Sequence, residues 1–196
     1  MVAQMPLPEG VHLDLLRDAI AMEARAQRAL LAGEDARAEL LAASDLYRRS
    51  WEVAPPASYG RLIGMLKAAV IAGDAADAAA YARVAVPDDA DSPPARYAVA
   101  IASLVEGDRE TAGAATVAMR TGSDAFNRAA AAIEAIVAGD ADAYGQAIRA
   151  IVEDFEAREE HLTGVPIADT ALMLERLAGD LAAHPASALL PTPARR

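Results

Sequence analysis

Three arginines stand at almost the same distance ahead of a glycine: Arg61 by 12 residues, Arg96 by 11 and Arg128 by 11. Tyr59, Tyr97 and Asn127 lie within two positions of them. A guanidinium recognises a carboxylate through paired hydrogen bonds, and Tyr with Arg is a common composition of binding hot spots. If the three segments stack as repeats, these six residues line one wall and suit a groove for an acidic peptide or a C-terminal carboxylate. The plainer alternative is that the arginines are ordinary exposed residues paired with Asp and Glu, since a helix surface must carry charge somewhere.

Other chemistry is sparse. His161 sits in "EAREEHLTGVP", but the positions three and four before it hold Arg158 and Ala157, so a helical metal site lacks its second ligand. Asp154 shares the face alone. A place near a helix end, ahead of Gly164 and Pro166, instead suits interaction of His161 with the negative terminus of that helix. His12 and His184 lie near the chain ends without clustered partners. No nucleophile elbow, phosphate loop or dinucleotide fingerprint is present, and the absence of cysteine removes thiolate chemistry, disulfides and Cys-based zinc sites. The carboxylate pairs Asp88–Asp89 and Glu159–Glu160, with Asp91, read as solvated surface, because a general acid needs a pocket that perturbs it. Neither an enzyme nor a cofactor or metal is expected.

The elements that must position these residues are helical. Of 196 residues 54% are hydrophobic but only 4% aromatic, so Ala, Leu, Ile and Val must form the core, and Ala is the strongest helix former. A Gly-Asp hinge recurs at Gly73, Gly107, Gly139 and Gly179, and Gly33 carries Glu34-Asp35 in place of the single Asp; the five glycines are spaced by 40, 34, 32 and 40 residues. Glycine accepts the left-handed conformation that closes one helix, and the following Asp caps the next. Periods of about 30 to 45 residues are those of helix-pair solenoids. Apolar stripes support each half-repeat: Tyr144, Ala147, Ile148, Ile151, Val152 and Phe155; Phe126, Ala130, Ile133 and Val137; Leu13, Leu16, Ile20 and Ala24; Leu40, Ser44, Tyr47 and Trp51. Gly60 and Gly64 form a small-x3-small pair suited to close helix packing.

Breaker clusters at 54–58, 87–94 and 120–124 separate the units, with Ser92 an expected N-cap and Pro93 a first helical residue. Helices are predicted at 11–32, 35–53, 58–72, 74–86, 93–106, 108–120, 124–138, 140–162 and 166–178, with a short one after Asp180. The tail "ASALLPTPARR" is expected to be extended, with Leu189 and Leu190 packed back.

With its turn Gly-Asp and the small residues five after the first three hinge glycines (Ala38, Ala78, Ala112), the chain from about 15 to 183 resembles the tetratricopeptide-repeat superfamily. That resemblance implies a right-handed superhelix whose concave groove binds a peptide or another protein. The single stretch "AGDADAYGQAIRAIVEDFEAREEH" also resembles a segment of all-helical immunity proteins of bacterial toxin systems.

The net charge of −11 repels phosphate backbones and acidic membrane surfaces, so neither nucleic acid nor membrane is expected as a partner. The start lacks the pattern of a signal peptide, and no apolar stretch approaches the ~18 residues of a membrane span. A bacterial cytosolic protein is therefore expected, the bacterial source resting on abundant Ala and on 17 Arg against a single lysine, Lys67. The resulting expectation is an all-α solenoid of about five antiparallel helix pairs. It comprises a flexible N-terminus (1–10), a repeat domain (11–186) and an extended tail (187–196). It acts as a non-catalytic protein- or peptide-binding module; the alternative is an immunity or inhibitor protein that neutralises a toxin through its acidic surface.

Overall fold

A computed structural model describes residues 10–192. The expected flexible stretch at 1–9 and the last residues of the tail, 193–196, lie outside the described residues. Among the described residues there are nine α-helices and no strand: α1 (Val11–Leu31), α2 (Arg37–Glu52), α3 (Gly60–Ala72), α4 (Ala76–Ala85), α5 (Pro93–Glu106), α6 (Arg109–Met119), α7 (Asp124–Ala138), α8 (Ala141–Glu156) and α9 (Asp169–Ala178). A single 3-10 turn, Gly179–Leu181, stands where a short helix after Asp180 was expected.

The hinges do what their residues demand. Gly73, Gly107 and Gly139 close α3, α5 and α7 in the left-handed conformation, with φ of 76°, 77° and 70°. Asp108 and Asp140 then accept from the backbone N–H groups of Thr111 and Ala143, capping α6 and α8. Asp74 takes another role and accepts at 2.8 Å from Arg37, tying the α3–α4 hinge to the start of α2. Ser92 and Pro93 hold the expected positions at the head of α5, although the Ser92 hydroxyl makes no capping bond.

Consecutive helices pack on one another throughout, and α3, α5 and α7 also touch in a row. The core is small-faced: Ala19, Ala26, Ala43, Ala68, Ala98, Ala100 and Ala132 have no exposed surface, which lets backbones approach closely. Gly64 shows how closely, because a Cβ there would lie 2.9 Å from the Tyr47 ring. Gly60 has open space around it.

Two features depart from the helix pattern expected from sequence. First, α8 ends at Glu156 rather than 162. Glu156, Glu159 and Glu160 would have crowded its negative terminus, and carboxylates there oppose the helix dipole. The released segment 157–168 makes tertiary contacts instead: Thr163 Oγ1 donates to Gln27 of α1 at 2.6 Å, and Val165 and Ile167 are buried. Secondly, α9 does not only follow α8. It also packs against α7 and against α3, where Lys67 Nζ donates to Asp169 Oδ2 at 2.9 Å across 102 residues of sequence. The tail continues inward as expected: Leu189 accepts from the Ala168 N–H at 2.9 Å, and Leu189 and Leu190 pack on the core.

Candidate functional site

The return of segment 157–168 and α9 roofs a cavity of about 330 Å³. α1 contributes Glu23 and Gln27, α3 Ile63 and Lys67, α5 Tyr97, α7 Phe126 and Arg128, and α8 Asp154 and Phe155. The returning chain adds Arg158, His161, Leu162, Asp169 and Thr170. Volumes of this order are those of small-molecule or side-chain pockets. Both phenylalanines of the chain line it, in a protein with very few aromatic residues. Tyr97 meets Phe126 edge-on, with centroids 5.9 Å apart, and Phe155 stacks on His161 at 6.1 Å. The Arg158 guanidinium lies over the Phe155 ring, 4.2 Å from its centroid.

Beside this ring-lined space lies a buried polar cluster. Glu23 and Gln27 are one helical turn apart and so face the same way. Glu23 is 4% exposed, and its Oε2 accepts from the Tyr47 hydroxyl at 2.6 Å. Burial pushes the Glu23 carboxyl up to about 7; the neighbouring Asp169 carboxylate adds to this, against the Tyr47 hydrogen bond and the Lys67 charge. Burial alone would lower Lys67, but Asp169 at 2.9 Å, with further help from Tyr97 and Glu23, holds it above its ordinary value. Lys67 therefore stays a cation and forms a pair with Asp169, their side chains 14% and 19% exposed. Tyr97 is 5% exposed; among the described residues its buried hydroxyl has no hydrogen-bond partner, and burial raises it. His161 Nδ1 is likewise buried and unpartnered.

Each arginine of the expected ladder has a partner within the chain. Arg61 Nε donates to Ser50 Oγ at 2.8 Å, and that hydroxyl donates to the His12 carbonyl at 2.6 Å, joining α3, α2 and α1. Arg96 holds the α4–α5 connection through the Asp88 carbonyl at 2.9 Å and Asp91 at 3.4 Å. Arg128 pairs with Asp154 at 2.5 Å, and Arg158 pairs with the same carboxylate. Tyr59 lies against Trp51, with centroids 5.4 Å apart, and half-buried Asn127 accepts from Arg120 through its backbone carbonyl at 3.3 Å. Of the six residues, Tyr97 and Arg128 line the cavity and the other four do not.

Glu23, Gln27, Lys67 and Asp169 fall outside the residues whose spacing in the sequence points to chemistry. Two signals were available. Glu23 and Gln27 continue the stripe of Leu16 and Ile20 at i+7 and i+11, so polar side chains occupy core positions of α1. Lys67 is the one lysine of the chain and stands in the apolar run "LIGMLKAAVIA". Asp169 carried no such mark, because its position depends on the return of α9.

Among the described residues no three His, Cys, Asp or Glu side chains are gathered to hold a metal, and no helix is long and apolar enough to cross a membrane. Compared with known proteins, the chain matches no family model, no curated protein and no solved structure.

Proposed function

We propose that this chain is a non-catalytic binding module for a protein or peptide partner, built as a tetratricopeptide-like stack of helix pairs, with the cavity beneath the returning segment as its recognition site. The recurring Gly-Asp hinges and the row α3, α5 and α7 support the repeat architecture. The observation that carries the binding reading is the cavity itself. It concentrates both phenylalanines, Tyr97, Arg128 and a buried carboxyl in one recess, and Leu162 stands on its lining 79% exposed. An apolar side chain left in water beside a polar-floored recess is the arrangement of an anchor site with its rim. A recess of this size holds one or two partner side chains rather than an extended peptide. The acidic balance of the chain favours a protein over a nucleic acid.

A second reading uses the acidic outer surface. Asp88 and Asp89 are exposed on the α4–α5 connection and form no ion pair among the described residues, which suits an inhibitor of a basic toxin. Capture from the source lysate with the wild-type chain, Leu162→Asp and Asp88→Lys/Asp89→Lys separates the two. A partner lost with Leu162→Asp and retained by the double variant supports the cavity. The opposite result moves recognition to the acidic connection, and retention by both variants rejects both surfaces.

A further inference from the structure

The charged groups around the cavity are not equally satisfied. Lys67 pairs with Asp169, and Arg128 and Arg158 share the one carboxylate of Asp154, so each of these cations has a carboxylate partner. Glu23 differs. Its Oε2 accepts from Tyr47, and no other hydrogen bond to this carboxyl exists among the described residues although it lines the cavity. Its second oxygen therefore keeps free acceptor capacity toward the cavity. The lining holds four carboxyls, of Glu23, Asp154, Glu160 and Asp169, against the three fixed cations of Lys67, Arg128 and Arg158. Once Glu23 is ionised, one added positive charge balances the lining. The rings of Phe126 and Phe155 offer walls for an apolar stem, and aromatic faces also attract cations.

Resting on the cavity as the recognition site, we propose that it takes a primary ammonium group on an apolar stem, the side chain of a partner's lysine, seated against the carboxyl of Glu23. The surrounding charge favours this. A chain of net charge −11 draws basic partners toward it before contact. This occupant differs from the acidic peptide expected from the arginine spacing: Arg96 and Arg128 pair with carboxylates of the chain and Arg61 with the Ser50 hydroxyl, while Glu23 keeps an open oxygen.

Binding also displaces to solvent the proton that burial keeps on Glu23. The groups facing that carboxyl are Tyr47 from α2, Lys67 from α3 and Asp169 from α9, with Arg128, Asp154, Arg158, Glu160 and His161 further around the same cavity. An ammonium beside Glu23 favours its ionised form, so the affinity weakens as pH falls below about 7.

The test uses the full chain and three probes: Nα-acetyl-lysine amide, its neutral isostere Nα-acetyl-norleucine amide, and 2-phenylethylamine as a free aromatic amine. Binding is followed by NMR shifts of Phe126, Phe155 and Tyr97. The lysine probe is expected to bind at least about tenfold more tightly than norleucine, and to lose about tenfold per pH unit below 7 as one proton is taken up. Glu23→Gln is expected to reduce lysine to the level of norleucine. Should that variant misfold, the wild-type pH profile carries the same test. Equal binding of lysine and norleucine, or a lysine affinity indifferent to pH and to Glu23→Gln, overturns the proposal. Binding of 2-phenylethylamine without lysine overturns the protein source of the amine. If no probe binds while partner capture still depends on Leu162, this inference fails alone; if that dependence is lost as well, the cavity reading fails with it.

Discussion

Glu23 is a carboxylic acid enclosed by helices, and the enclosure has a thermodynamic cost that depends on pH. In the unfolded chain it titrates near 4.5; in the folded protein it is raised to about 7. Between those values the folded state holds a proton that the unfolded state has released, so stability falls as pH rises through that window. Above pH 7 the cost of ionising Glu23 is about 3 kcal/mol. Glu23→Gln stays neutral and still accepts from Tyr47. It is expected to be more stable than wild type by up to about 3 kcal/mol near pH 8, and to converge with it near pH 4.5. Urea denaturation at both pH values checks this, and a variant no more stable at pH 8 than at pH 4.5 would contradict the burial of the acid. A group that costs stability at neutral pH is one that function can retain.

At the scale of elements, the close approach of α2 and α3 rests on Gly64. A Cβ at this position would lie 2.9 Å from the Tyr47 ring, and that ring cannot easily retreat while its hydroxyl holds Glu23. Gly64→Ala is therefore expected to destabilise by about 1–3 kcal/mol, the range of overpacked cores. Gly60→Ala, with open space and a helical backbone, is expected to be neutral or slightly stabilising. Thermal unfolding of the two variants side by side checks the pair, and equal behaviour would remove Gly64 from the helix contact. The sequence held both glycines as a spaced pair; which of them faces a neighbour was settled by the rotation of α3 on α2. The helices themselves were legible, because hinge glycines and apolar stripes are local signals. The early end of α8 was harder to read, since Phe155 continues its apolar stripe while the carboxylates beyond it oppose the terminus.

For the molecule as a whole, α9 brings the C-terminal end into contact with α3 as well as α7. In an open array a weakened last element frays locally and leaves distant repeats protected. Here Leu174 is fully buried in α9, and Leu174→Ala is expected to cost about 2–5 kcal/mol. Hydrogen exchange should rise in α3 as well as in α7 and α8. Exchange confined to residues beyond 139 would mean that the α9–α3 contact contributes little to cooperativity.

The sequence by itself determined an all-helical chain, the positions of its hinges and the Ala-rich character of its core, because each depends on residues within a few turns of one another. It could not place Glu23 against Tyr47, Lys67 against Asp169, or Gln27 against Thr163, whose separations are 24, 102 and 136 residues. The first follows from the packing of α1 on α2; the other two arise only when segment 157–168 leaves the helix and α9 folds back on α3. The arginine spacing was a true regularity of the sequence, yet the partners of the three guanidiniums were decided by neighbouring helices and connections. Local propensity sets the elements and leaves polar residues at core positions of α1 and α3; the partners they meet, and the cavity they line, come from long-range packing.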